Sequence, residues 1–172
     1  MARNIEIKAR VPDPVMLRAR VVGLATSGPE LLVQRDTFYN APAGRLKLRE
    51  SGAGTAELIY YERPDRLGPK TSTYSRTPVP DAASMRELLD RCLGTKAMVA
   101  KSRELFLAGQ TRIHLDKVEG LGAFVELEVV LAAGQTDAEG EQIASGLMAQ
   151  LSIRETDLVE QAYVDLLERV SA

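Results

Sequence analysis

Basic residues recur at alternate positions along this chain: Lys8 and Arg10, Lys47 and Arg49, Lys101 and Arg103, with Arg112 opening a further alternating stretch. In an extended strand, residues two apart project to the same side. Gathered on the inward faces of several strands, these cations would repel one another unless an anion lay between them. A polyphosphate supplies several charges and many acceptor oxygens, and guanidinium forks match its geometry. Carboxylates follow the same spacing. Glu126 and Glu128 are two apart, and Glu6 shares the polar side of the N-terminal stretch with Asn4, Lys8 and Arg10. Hard oxygen donors of this kind suit Mg²⁺ or Mn²⁺, which usually keep waters and bridge to substrate phosphates. Asp116 is a further candidate, as a ligand or as a general base. Read singly, each basic pair is more often a solvated strand face, and each acid is equally a salt-bridge partner. All of them together in one small chain favour a ligand.

His114, the single histidine, alternates with Arg112 and Asp116 and so shares their side. It reads first as a polar neighbour rather than a catalyst. Tyr39, Tyr60, Tyr61, Tyr74 and Tyr163 read mainly as packing residues, with stacking on a ring as the other use. Gly120-Leu121-Gly122 has no Lys-Ser/Thr after it and is a strand turn, not a phosphate loop. A Ser-His-Asp order, a His-Glu-x-x-His helix and a Gly-x-Gly-x-x-Gly stretch are all absent, which leaves covalent catalysis little support. Metal-assisted attack on phosphorus fits better, with charge neutralisation and positioning as its means.

The elements that would hold these residues alternate strand and turn. A first strand is expected over about Arg3 to Val11. Asp13 caps a helix whose first turn accepts Pro14, with Val15, Leu17, Val21, Val22 and Leu24 as its apolar stripe. Strands are expected at Leu31–Tyr39, Arg45–Glu50, Ala56–Glu62 and Lys70–Thr77, the last placing Lys70, Ser72, Tyr74 and Arg76 on one side. Asp81 caps a second helix with a Met85, Leu88, Leu89, Cys92 stripe, ended by Gly94. Strands near Ala97–Ala108, Thr111–Val118 and Ala123–Ala132 follow, then helices over about Asp137–Leu151 and Asp157–Val170. Arg63 falls just past the fourth strand and is not placed among the inward bases. Hairpins between successive strands make the fold α+β rather than alternating βαβ. Helices cover the apolar strand faces from outside, and the charged faces line a closed or nearly closed eight-stranded antiparallel barrel, the reverse of one filled with aliphatics.

At 172 residues the chain suits one domain, residues 1–172,. A net charge of −2 and a pI near 5.6 argue against a general nucleic-acid binder,. The lone Cys92 excludes an internal disulfide and a Cys-based zinc site,. No apolar run approaches the roughly 20 residues that span a membrane, and the N-terminus lacks a signal-peptide layout. The expectation is a cytoplasmic protein with a small-molecule partner.

These stretches resemble the CYTH superfamily, the triphosphate tunnel enzymes. Glu6-Ile7-Lys8 resembles the end of their Glu-x-Glu-x-Lys signature, with Asn4 where the first Glu would stand. Gln34 to Tyr39, Leu46 to Arg49 and Lys101-Ser102-Arg103 are similar to later strand motifs. Arg112 to Asp116, with Gly120 through Glu128, is similar to the class IV adenylyl cyclase-like branch, and Ala162 to Leu167 to its Ser-Tyr-x-x-Leu-Leu tail. The resemblance implies an eight-stranded triphosphate tunnel. Glu6, Glu126 and Glu128 would hold one or two Mg²⁺ or Mn²⁺ ions. Lys8, Arg10, Lys47, Arg49, Lys101, Arg103 and Arg112 would hold phosphates, and Asp116 and Lys8 would be catalytic. Three functions stay open: cyclisation of ATP with release of pyrophosphate, hydrolysis of a triphosphate (thiamine triphosphate, a nucleoside triphosphate or tripolyphosphate), and triphosphate binding without turnover. Barrels of this kind are often homodimers by analogy, and the amphipathic C-terminal helix would either close the tunnel or meet a partner.

Overall fold

Ile5, Ile7 and Ala9 are buried to 1% exposure or less, and they fix the orientation of the first strand. They face outward under helices, so Asn4, Glu6 and Lys8 must face inward. The computed structural model describes residues 2–171. Its strands are β1 (Ala2–Arg10), β2 (Ser27–Tyr39), β3 (Arg45–Ser51), β4 (Ala56–Glu62), β5 (Lys70–Pro78), β6 (Thr95–Ala108), β7 (Thr111–Val118) and β8 (Gly122–Val130). They close into one antiparallel barrel in the order β1-β5-β4-β3-β2-β6-β7-β8. The helices are α1 (Pro14–Leu24), α2 (Ala82–Leu93), α3 (Asp137–Leu151) and α4 (Tyr163–Ser171). Closure leaves no open sheet edge among the described residues,.

Two apolar layers clothe the barrel and a third plugs it. Leu17 and Val21 of α1, with Ala144 and Leu151 of α3, pack on Ile5, Ile7, Val125, Leu127 and Ile113. Each such aliphatic contributes roughly 1.5–3 kcal/mol on burial. Helix α3 approaches β1 so closely that a Cβ at Gly140 would lie 2.6 Å from Ile5 and Leu131 side-chain carbons. Helix α2 covers Tyr39, Leu48 and Ala56 through Met85, Leu89 and Leu93. At one end of the barrel, Tyr163, Val164 and Leu166 pack against Phe38, Val99 and Phe124.

Asp13 caps α1 through a 3.0 Å bond from Met16 N, and Asp81 caps α2 in the same way. The expected stripes are narrower than read. Val15 (81%) and Val22 (51%) of α1, Leu88 of α2 and Cys92 are exposed, because they lie round the helix from the residues that touch the barrel. The last helix starts at Tyr163, not Asp157. Only a 3₁₀ turn forms at Glu155–Asp157; residues 158–162 are not helical, and 158 and 159 pair with β1. Val159 N donates to Lys8 O at 2.9 Å, and Leu158 bridges to Ala9. Carbonyls that a helix would have used internally are thereby freed to meet lysines.

Candidate active site

The barrel interior is a cavity of about 230 Å³ whose walls carry Glu6, Lys8, Asp36, Lys47, Arg49, Lys101, Arg103, Arg112, Glu126 and Glu128. Alternation within each strand puts them there, since their neighbours Ile5, Ile7, Leu48 and Leu127 are claimed by the outer core. The plug makes a floor. Phe124 and Tyr163 meet edge to face at 5.0 Å. Lys8 Nζ lies 4.0 Å above the Tyr163 ring and Lys101 Nζ lies 5.5 Å from it. Lys47 Nζ sits 5.4 Å from Phe38 and 5.5 Å from Tyr61. The aromatic faces offset part of the cost of burying these ammoniums. The other end is open, with Tyr74, Arg76, Leu105 and Arg112 around its mouth.

Two charged clusters share this space. In the first, Asp36 accepts from Lys47 at 2.8 Å, from Arg49 at 2.7 Å through both carboxylate oxygens, and from Lys101 at 3.4 Å. Burial alone would raise the Asp36 carboxyl, but the charges of Lys101, Lys47 and Arg49 hold it well below the usual range. Burial and the adjacent Arg49 bring Lys47 down to about 7, and burial brings Lys8 down to about 8. In the second cluster three carboxylates, Glu6, Glu126 and Glu128, stand together among Lys8, Arg63, Arg103 and Arg112. Glu126 contacts Lys8 at 3.2 Å and Arg103 at 2.7 Å, and Glu128 lies 3.0 Å from Arg112. Burial opposes ionisation of Glu126, yet Lys8 and Arg103 keep it well below the ordinary value. Glu6 pairs in register with Glu128, and burial together with that neighbouring carboxylate raises it.

Two expected site residues lie elsewhere. Arg10 continues the inward alternation of β1 but falls beyond the floor, exposed and stacked at 5.0 Å on the outer side of Phe124. Asp116 is 3% exposed and behind the wall. Its oxygens take Arg103 at 2.6 and 2.5 Å and the Tyr163 hydroxyl at 2.9 Å. With both oxygens occupied and its place outside the cavity lining, it holds the Arg103 guanidinium in position.

Arg63, Asp36 and His114 take places that the sequence alone does not assign them. Arg63 lines the cavity with its side chain 4% exposed, 3.3 Å from Glu6. The alternation Ile59, Tyr61, Arg63 continues past the end of β4, and following it would have found this residue. Asp36 was legible as an acid on the inward parity of β2. His114, read as a polar neighbour, has Nδ1 3.8 Å from Glu126 and 3.7 Å from Glu128. Lys70, fully buried, donates instead to the carbonyls of Arg66 (2.8 Å), Val159 (3.3 Å) and Glu160 (3.0 Å).

A divalent cation fits the wall that carries Glu126, Glu128 and His114. Their ligand atoms lie within 4.8 Å of one another, and His114 Nδ1 is buried without a hydrogen-bond partner among the described residues. Glu6 stands beside this group, held by Arg63.

A closed eight-stranded barrel with cations and carboxylates facing inward is one architecture, and the family model of the CYTH domain matches residues 2–163. The chain belongs to the CYTH domain family. It is 23% identical over 178 residues to the adenylate cyclase CyaB of Aeromonas hydrophila, covering 96% of this chain and 89% of that one. The PH1012 protein of Pyrococcus horikoshii superposes with a TM-score of 0.86 at 24% identity, covering 95% of this chain and 98% of that one. The Hippeastrum protein HpAC1, described as having a dominant triphosphatase activity, superposes with a TM-score of 0.67 at 15% identity, covering 96% and 95%. Among the described residues, no helix is long and apolar enough to cross a membrane.

Proposed function

We propose that this CYTH chain is a divalent-metal-dependent enzyme that binds a nucleoside triphosphate tail first and cyclises it in the manner of class IV adenylyl cyclases. The carrying observation is depth. Lys8 and Lys101 on the floor have side chains 3% exposed, whereas Glu128 (18%) and Arg112 (27%) stand nearer the mouth. A cavity of about 230 Å³ is smaller than the roughly 300–1,000 Å³ of pockets that engulf drug-sized ligands. It suits the phosphate chain, with the nucleoside left at the mouth.

In this reading the terminal phosphates rest on Lys8, Lys47 and Lys101, where ammonium charge favours pyrophosphate as a leaving group. Arg103, fixed by Asp116, and Arg49, fixed by Asp36, present their guanidinium groups to phosphate oxygens. Preorganised charge of this sort stabilises what develops in the transition state without reorganising water. His114, Glu126 and Glu128 would hold the cation, which when bound neutralises charge on the reacting phosphate. The α-phosphorus then lies near the mouth, within reach of the ribose 3′-hydroxyl. Packed Phe124 and Tyr163 close the floor, which disfavours approach of water to the γ-phosphorus from below.

The second reading is hydrolysis of the terminal phosphate. It is favoured by the activity described for the Hippeastrum neighbour. ³¹P NMR of purified protein with Mg²⁺ or Mn²⁺ separates the two when ATP, thiamine triphosphate and tripolyphosphate are offered in turn. Cyclisation gives pyrophosphate and a cyclic monophosphate from ATP. Orthophosphate with a diphosphate would replace it by a triphosphatase. Line broadening without product would leave a binding protein.

A further inference from the structure

His114 is the only histidine of the chain and one of its buried polar side chains, 4% exposed. It projects from β7 opposite Glu126 of β8. Among the described residues its Nδ1 has no hydrogen-bond partner. The nearest carboxylate oxygens, on Glu126 and Glu128, are 3.8 and 3.7 Å away. Those gaps exceed the 2.7–3.2 Å of a hydrogen bond while staying within ion-pair range, so Nδ1 faces both carboxylates and is hydrogen-bonded to neither. A buried nitrogen facing two carboxylates at that range leaves room for an atom between them. Ligands at about 2.1 Å from a cation and at right angles to each other stand about 3.0 Å apart. Each gap closes by less than about 1 Å, a small rotamer adjustment. Glu126 also contacts Lys8 and Arg103, but a carboxylate has about four lone-pair sites and can serve a cation as well.

We infer that His114 is a direct ligand of the divalent cation, making a mixed nitrogen–oxygen site with Glu126 and Glu128 that selects Mn²⁺ and Co²⁺ over Mg²⁺. Imidazole nitrogen suits the later first-row ions, whereas Mg²⁺ prefers an all-oxygen shell. The inference rests on the metal-dependent reading above and deepens it by naming the kind of ion the site takes.

The test uses the untagged full chain without nucleotide and reads binding, not turnover. Because there is one histidine, a sample ¹⁵N-labelled in the imidazole reports on His114 alone. Zn²⁺ titrated as a diamagnetic probe is expected to move the Nδ1 resonance far more than Nε2. Calorimetric titrations with Co²⁺ and with Mg²⁺ follow, on wild type, His114→Gln and Glu126→Gln. His114→Gln is expected to weaken Co²⁺ by at least about tenfold, on the scale at which ligand-sphere changes act, and Mg²⁺ by less than about threefold. Glu126→Gln is expected to weaken both. An unmoved Nδ1 signal, or Co²⁺ binding equal in wild type and His114→Gln while Glu126→Gln loses it, overturns the histidine ligand and leaves the metal site standing. No Co²⁺ or Mg²⁺ binding by wild type overturns both. The NMR readout needs no variant, so a failure of His114→Gln to fold does not shield the inference.

Discussion

The two charged clusters inside the barrel are built on opposite principles. Around Asp36 a single acid is outnumbered by Lys47, Arg49 and Lys101, with Lys47 and Arg49 within 2.8 Å and Lys101 at 3.4 Å. Around Glu126 and Glu128 the acids are reinforced by Glu6, and a histidine nitrogen is left unpartnered among the described residues. The first cluster is short of negative charge and the second leaves a donor set open. An anion completes the one and a cation the other, and a metal–triphosphate complex brings both at once.

The difference is broken most severely at the basic hub. Asp36→Asn keeps the shape but leaves buried cations without their counter-charge. Removing one partner of a buried pair costs about 3–5 kcal/mol. The urea midpoint should fall accordingly, and saturating tripolyphosphate should recover more stability in the variant than in wild type. An unchanged midpoint without anion would mean that the hub is solvated and is not held by Asp36. At the wall of Glu126 and Glu128 the stronger effect is on chemistry. Glu126→Gln should lower divalent-dependent turnover by about 10²-fold, the range for losing one preorganised electrostatic group. Equal turnover in the variant would remove the metal from this wall.

Titration separates the clusters further. Lys47 near 7 and Lys8 near 8 lie below the ordinary lysine value of about 10.4. Between those values the unfolded chain binds more protons than the folded one, so stability rises with pH. The penalty is fully present below about pH 7 and fades as pH climbs towards 10. Melting temperature of the ligand-free protein should therefore increase from pH 7 to 9. Bound tripolyphosphate pairs these ammoniums and should flatten the slope. A slope that survives saturating anion would place the titrating lysines away from the phosphates.

Alternation made Lys8, Lys47, Arg49, Lys101, Arg103, Glu126 and Glu128 legible, because a period of two decides which face a residue takes. It does not decide depth. Arg10 has the right parity but lies past the aromatic floor, and Asp116 has it but sits where Tyr163 and Arg103 fill the space. Depth depends on strand tilt and on what closes the barrel end, and both are long-range properties. The plug was hidden for a related reason. Leu158 to Ala162 are compatible with helix locally, but backbone bonds to Lys8 and ammonium bonds from Lys70 favour the non-helical form. Arg63 was lost at a boundary, where the strand ends but its alternation does not.

The smallest effect is the most pointed test of where catalysis is absent. Tyr163→Phe keeps the ring beneath Lys8 and Lys101 and deletes the bond to Asp116. Asp116 keeps both bonds from Arg103, so the loss should be about 1 kcal/mol, the net worth of one hydrogen bond. Turnover should change by less than about threefold, since Arg103 stays in place and the lysine floor is intact. A much larger fall in kcat at unchanged KM and stability would mean that the Tyr163–Asp116 contact acts on the reacting groups. Asp116 would then return to the catalytic set, and the wall between it and the cavity would have to open during the reaction.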